Sequence, residues 1–172
     1  MAKSAGGDRH PQACIAGMVL LRLFLGGYFL YEGFVHFAVR ANIAKFLRTA
    51  TGDNGLYLTG SAWTGFQSFL QHTVHRYVDA ITLLLILLSL LGGVLLLVGL
   101  LTRLGALLTM AVTLFSLFCV WNLPPSGENF YPPFLCYVLF LVMELAVLIA
   151  AAGRTWGVDA ILARRTKFKP LW

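Results

Sequence analysis

Long apolar blocks alternate with short polar segments along most of this chain. Four blocks are long enough for helices that cross a membrane, at about residues 14–37, 78–101, 104–120 and 134–152. A helix rises about 1.5 Å per residue, so about 20 residues cross a hydrocarbon layer of about 30 Å. The pattern therefore predicts an all-α fold, an integral membrane four-helix bundle that forms a single membrane domain over residues 1–172.

The segment between the first two blocks has an amphipathic stretch at about residues 62–76. Its large apolar residues recur at helical spacing: Trp63, Phe66, Leu70, Val74 and Tyr77. Polar residues fall mostly on the other faces, and the stretch is too short to cross a bilayer. We therefore predict an interfacial amphipathic helix in the first outer loop.

Composition and charge agree with a membrane protein. Hydrophobic residues make up 59% of the chain and charged residues 12%, which excludes an ordinary water-soluble domain. The formal net charge is +6, but the basic residues lie in loops and tails, where they indicate topology and contacts with lipid headgroups rather than nucleic acid. The tail at 153–172 is basic, and the positive-inside rule then predicts that both termini are cytoplasmic.

Three ionisable residues fall inside the predicted spans, where each needs a partner or a purpose. Arg22 and Glu144 each lie about eight residues from the expected cytoplasmic end of a span, so antiparallel helices bring them to one depth. We predict that they form an intramembrane ion pair, whose structural role is to lock the bundle.

Glu32 is the third of these residues, and it shares a helix face with His36, one turn further along the chain. Histidine titrates near neutral pH, so the pair can exchange protons with a quinone. In the structural alternative, His36 simply satisfies a buried Glu32. His72 and His75 are three residues apart, a spacing compatible with metal ligation, but no Asp, Glu or Cys accompanies them and the sequence has no haem-attachment motif. We therefore predict no metal, and no cofactor is evident beyond a quinone and bound lipid.

The first outer loop is basic, against the usual charge distribution. It carries four cationic side chains: Arg40, Lys45, Arg48 and Arg76. A cluster of positive charge attracts anions and acidic protein surfaces. We predict that these residues bind an anion or dock a partner.

Three segments together resemble a known family. They are LLRLFLGGYFLYEG at 20–33, LGGVLLLVGLLTRLGAL at 91–107 and GRTWGVDA at 153–160. In that order they resemble the DoxX/DoxD-like family of bacterial and archaeal membrane proteins with four helices. The last segment is similar to the DoxD branch, and it contributes the motif residues Gly153, Arg154, Trp156, Gly157 and Asp159.

The DoxD branch supplies the membrane subunit of thiosulfate:quinone oxidoreductase. The resemblance implies a small subunit of a larger quinone-linked electron-transfer complex in the bacterial cytoplasmic (inner) membrane. If the chain is catalytic, it then acts as part of an oxidoreductase of the thiosulfate:quinone type. Its partners would be membrane lipids and other membrane subunits of that complex.

Two positions depart from the family pattern. His36 stands where the family often has Lys, and Ser89 stands where it often has an acidic residue. These departures favour an alternative, a non-catalytic accessory subunit of a respiratory or photosynthetic membrane complex.

Overall fold

The computed structural model describes residues 9–53, 55–123 and 133–150, and its regular elements are helices. They are α1 (Arg9–Ala38), α2 (Arg40–Ala50), α3 (Leu56–Gly60), α4 (Thr64–Phe69), a π-helical turn (Leu70–Val74), α5 (Val78–Val98), α6 (Thr102–Val120) and α7 (Phe134–Ala150). The basic tail at 153–172 lies outside the described residues.

Three helical stretches are long and apolar enough to cross a membrane: Ala16–Ala38, Val78–Val98 and Thr102–Val120. Helix α7 is also apolar, and its described part has 17 residues, the lower end of the length that spans a bilayer. Large apolar side chains are exposed along these helices, as on α5 at Leu84, Leu87 and Leu91. Contact of such large apolar surfaces with water is unfavourable, whereas contact with lipid is not. The prediction of an all-α membrane bundle is therefore confirmed.

A sharp turn joins α5 to α6. Helix α5 ends at Val98 because Gly99 adopts a left-handed conformation with φ of 69°, and the Gly99 N–H donates to Leu95 O. Leu101 is also left-handed, with φ of 49°, and α6 begins at Thr102. Three residues, 99–101, therefore separate the two helices, one more than the predicted bounds of 101 and 104 leave between them. We call this end of the bundle the turn end.

Near the turn end, glycines let the helices approach closely. A Cβ added to Gly93 would lie 2.7 Å from the backbone N of Leu30 on α1. A Cβ added to the neighbouring Gly92 would lie 2.7 Å from Thr109 Cγ2 on α6. Helix α5 therefore contacts α1 and α6 at backbone distance. The adjoining core contains Leu25, Phe29, Leu96, Ala106 and Val147.

The opposite end of the bundle, the loop end, carries α2, α3, α4 and the π-helical turn. Phe66, Leu70 and Val74 are buried there against the end of α6, so the apolar face of the predicted amphipathic helix packs on protein. That helix is divided: the α-helical part ends at Phe69, and the His75 N–H then donates to Leu70 O with π-helical spacing.

Candidate functional site

A cavity of about 270 Å³ opens at the loop end, between the four long helices and the loop helices α2 and α3. Polar side chains converge on it from several elements: Glu32, His36, Tyr57, Thr82, Ser89, Ser116, Cys119 and Tyr137. Apolar residues form the rest of its wall, among them Ile86, Val112 and Phe115. A concave apolar site with a few convergent polar groups is typical of small-molecule binding sites.

Helical spacing explains how the spans contribute their polar groups. Glu32 and His36 are one turn apart on α1, so both face the cavity, as their spacing predicts. Thr82 and Ser89 are two turns apart on α5, which places them on one buried stripe of an otherwise apolar helix. Ser116 lies on α6 and completes a polar band around the cavity.

The loop closes one side of the cavity through α2 and α3. Tyr57 of α3 packs its ring edge-on against Phe46 of α2, with ring centroids 5.7 Å apart. Burial raises the pKa of Tyr57 above its usual value, so its hydroxyl keeps its proton at physiological pH and can donate a hydrogen bond. Phe46 lines the cavity and is also half-exposed, so the cavity reaches the protein surface beside α2.

Glu32 and His36 both line the cavity, but their side chains do not bond each other. Both are partly buried, and no hydrogen bond joins their side chains among the contacts of the described residues. The structural alternative, in which His36 satisfies the Glu32 carboxyl group, is therefore not the observed arrangement. Both groups are available to a molecule in the cavity.

The predicted ion pair of Arg22 with Glu144 is not seen. Both residues are buried, at 4% and 0% exposure, but the Glu144 carboxylate accepts its hydrogen bond from Thr113 on α6. Arg48 and Asp79 form an ion pair at the loop end.

A ring contact gives the relative depth of the two residues. The Tyr28 ring lies against Phe140, with centroids 4.5 Å apart, which aligns α1 with antiparallel α7. Glu144 lies four residues beyond Phe140, so its level on α1 is near Phe24, and Arg22 lies two residues further along, about 3 Å along the helix axis. The two residues therefore lie at nearly the same depth, as predicted, but the Glu144 carboxylate bonds Thr113.

The four basic loop residues are all exposed, as expected of groups that meet soluble ligands. Arg48 bonds Asp79 at 3.1 Å, whereas Arg40 and Arg76 lie over the rings of Phe37 and Tyr77. A groove of about 360 Å³ lies between α2 and α5, and Arg40, Asp79, Thr82 and Leu83 help to line it.

Several residues that line the cavity were not predicted from the sequence. Tyr57 and Tyr137 belong to elements far along the chain, and no local pattern connects them with Glu32. Ser116 carried a usable signal, because a polar residue inside a strongly apolar span is commonly functional or structural. Among the described residues, no group of three or more His, Cys, Asp or Glu side chains can hold a metal ion.

The sequence itself matches a family model. The model described as DoxX matches residues 17–122, which contain most of α1, all of α5 and α6, and the whole loop between α1 and α5. The match does not include 153–160, so the resemblance to the DoxD branch stays a prediction, and those motif residues also lie outside the described ranges. No curated protein and no solved structure matches the chain. Because the family model covers more than half of its length, this multi-pass membrane protein belongs to the DoxX family.

Proposed function

We propose that this DoxX protein is the quinone-binding membrane subunit of a larger electron-transfer complex. The observation that carries the proposal is the loop-end cavity, in which a carboxyl group and an imidazole share apolar walls with several hydroxyl groups. A volume of about 270 Å³ suits the head group of a quinone, while its isoprenoid tail would extend along the lipid-facing surface.

The lining groups match the chemistry of quinone reduction. A quinone takes up two electrons and two protons when it becomes a quinol, and the reverse reaction releases them. Glu32 and His36 supply a carboxyl and an imidazole group, which commonly act as general acids and bases, so they would exchange these protons. The hydroxyl groups of Tyr57 and Tyr137 would donate hydrogen bonds to the quinone carbonyl oxygens.

The electrons would come from, or pass to, another subunit. The described residues contain no cluster of metal ligands, and the sequence carries no haem-attachment motif. The exposed basic residues of the loop end would attract an acidic partner or an anionic donor such as thiosulfate. The groove beside Arg40 and the exposed Leu83 would also suit a lipid, with the headgroup at the guanidinium.

Quinone binding to the purified full chain tests the proposal. A short-chain, soluble quinone analogue is titrated into the detergent-solubilised protein, and binding is followed by isothermal titration calorimetry. The double variant Glu32→Gln/His36→Ala should lower the affinity by about tenfold or more, because two polar contacts are removed.

A matched double variant, Asp53→Asn/His72→Ala, makes the same chemical changes at exposed positions away from the cavity and should bind as the wild type does. Equal affinity of both double variants and the wild type would rule out this quinone site. That result would favour the accessory role, in which the chain contributes packing surface to a membrane complex.

A further inference from the structure

Glu144 is a buried acid that does not line the loop-end cavity. Its side chain has 0% exposure in the middle of α7. The Thr113 hydroxyl donates to Oε1 at 2.9 Å. The other oxygen, Oε2, is buried and has no hydrogen-bond partner among the described residues. A bundle that needed Glu144 only for packing would be more stable with an apolar residue there.

A small void borders both Thr113, which bonds Glu144, and residues of the cavity. Its volume is about 10 Å³, which leaves room for one water molecule. Five polar side chains line it: Tyr28, Glu32, Thr113, Ser116 and Tyr137. A water molecule at this position would therefore have the two to four polar partners that a buried water needs. Three of those side chains also line the cavity, and Thr113 reaches Glu144.

Thr113 is suited to both protonation states of Glu144. Its hydroxyl has one hydrogen and two acceptors within reach, Thr109 O at 3.2 Å and Glu144 Oε1 at 2.9 Å. When Glu144 is ionised, the hydroxyl donates to the carboxylate. When Glu144 is protonated, the hydroxyl can donate to Thr109 O and accept a hydrogen bond from the carboxyl group.

We infer that Glu144 is the proton store of the cavity, filled from Glu32 through water and Thr113. In the transfer, Glu32 gives a proton to the water, the water gives one to the Thr113 oxygen, and Thr113 gives its own hydrogen to Glu144. Glu32 ends ionised and Glu144 protonated, and no electron moves. The inference rests on the proposed function for the origin of the protons, which are those exchanged with quinone.

Hydrogen–deuterium exchange at the Glu144 carboxyl group tests this route without any quinone. The chain contains three glutamates, so labelling with carboxyl-¹³C glutamate isolates their C=O stretching bands in the infrared spectrum. The Glu144 band is assigned in acid buffer by its loss in Glu144→Gln, or, if that variant does not fold, by elimination with Glu32→Gln and Glu128→Gln. The purified protein is then transferred rapidly to D₂O, and the shift of the band is timed.

Thr113→Val keeps the shape of the side chain and removes the hydroxyl group, so exchange at Glu144 should slow by about tenfold or more. Glu32→Gln should slow it as well, and Thr113→Ser should restore the wild-type rate. Unchanged exchange in Thr113→Val would overturn the route, and so would equal slowing in Thr113→Ser, which would indicate altered packing. Because no quinone is present, normal exchange together with absent quinone binding would refute the proposed function alone.

Discussion

The turn end and the loop end of this bundle are built from the same four helices, but the helices pack closely at the turn end and enclose a polar cavity at the loop end. At the turn end, glycines bring α1, α5 and α6 to backbone contact, and Leu25, Leu96 and Val147 are fully buried with apolar neighbours. At the loop end, the same helices present polar side chains to a cavity of about 270 Å³.

The difference indicates a division of roles. In lipid, apolar side chains gain little by leaving the solvent, so helices associate through close packing and hydrogen bonds. The turn end supplies that close packing and holds the helices in register. The loop end can then keep an open, polar site between helices whose positions are already determined.

Breaking the close contact at the turn end should have the largest effect. Gly93→Val places a branched side chain where even a Cβ meets the Leu30 backbone, so α1 and α5 must move apart. We expect the free energy of unfolding to fall by about 3 kcal/mol, seen as a lower thermal midpoint in detergent. Gly27→Ala is the control, because its Cβ meets nothing within 4 Å and should cost no stability. Equal midpoints for the two variants would contradict this account of the turn end.

Removing apolar side-chain volume should lower the stability of the protein more at the turn end than at the loop end. Leu96 is fully buried in the turn-end core, so Leu96→Ala creates a new void and should cost about 2 kcal/mol. Ile86 borders the existing cavity, and Ile86→Ala only enlarges it, so we expect about half that loss. Thermal midpoints of the two variants, measured in one detergent, make the comparison. A larger loss at Ile86 would mean that the cavity wall is packed as tightly as the core.

The smallest effect concerns Tyr57 at the loop end. Burial raises its pKa in the folded protein above its value of about 10 in an unfolded chain. The folded state then holds the proton more tightly, so this contribution to stability is complete below about pH 10 and is lost as the pH rises towards the folded pKa. The thermal midpoint of Tyr57→Phe should therefore fall less between pH 8 and pH 11 than that of the wild type. An identical alkaline loss in both proteins would show that Tyr57 does not contribute to it.

Prediction from the sequence agreed with the structure for features that depend only on residues close together in the chain. A span needs about 20 apolar residues in succession, and α1, α5 and α6 begin and end within a few residues of the predicted blocks. The shared face of Glu32 and His36 was equally local, because a separation of four residues is one helical turn. The apolar face of the loop helix was also evident, although only Phe66, Leu70 and Val74 of its five large residues are buried.

Prediction was incomplete where residues from different helices had to be paired. Counting from helix ends placed Arg22 level with Glu144, and the contact of Tyr28 with Phe140 agrees to within about two residues, or about 3 Å. The Glu144 carboxylate nevertheless accepts its hydrogen bond from Thr113 on α6. The depth of a residue in a span does not determine which neighbouring helix its side chain faces.

The sequence by itself determined that this chain is an all-helical membrane protein of the DoxX family, because the length and polarity of each block decide whether it can lie in lipid. Only the tertiary structure decided that Tyr57, Ser116 and Tyr137 join Glu32 and His36 around one cavity. These side chains come from elements far apart in the chain, and their distances depend on helix register and on contacts between helices. Periodicity within one helix carries no information about either.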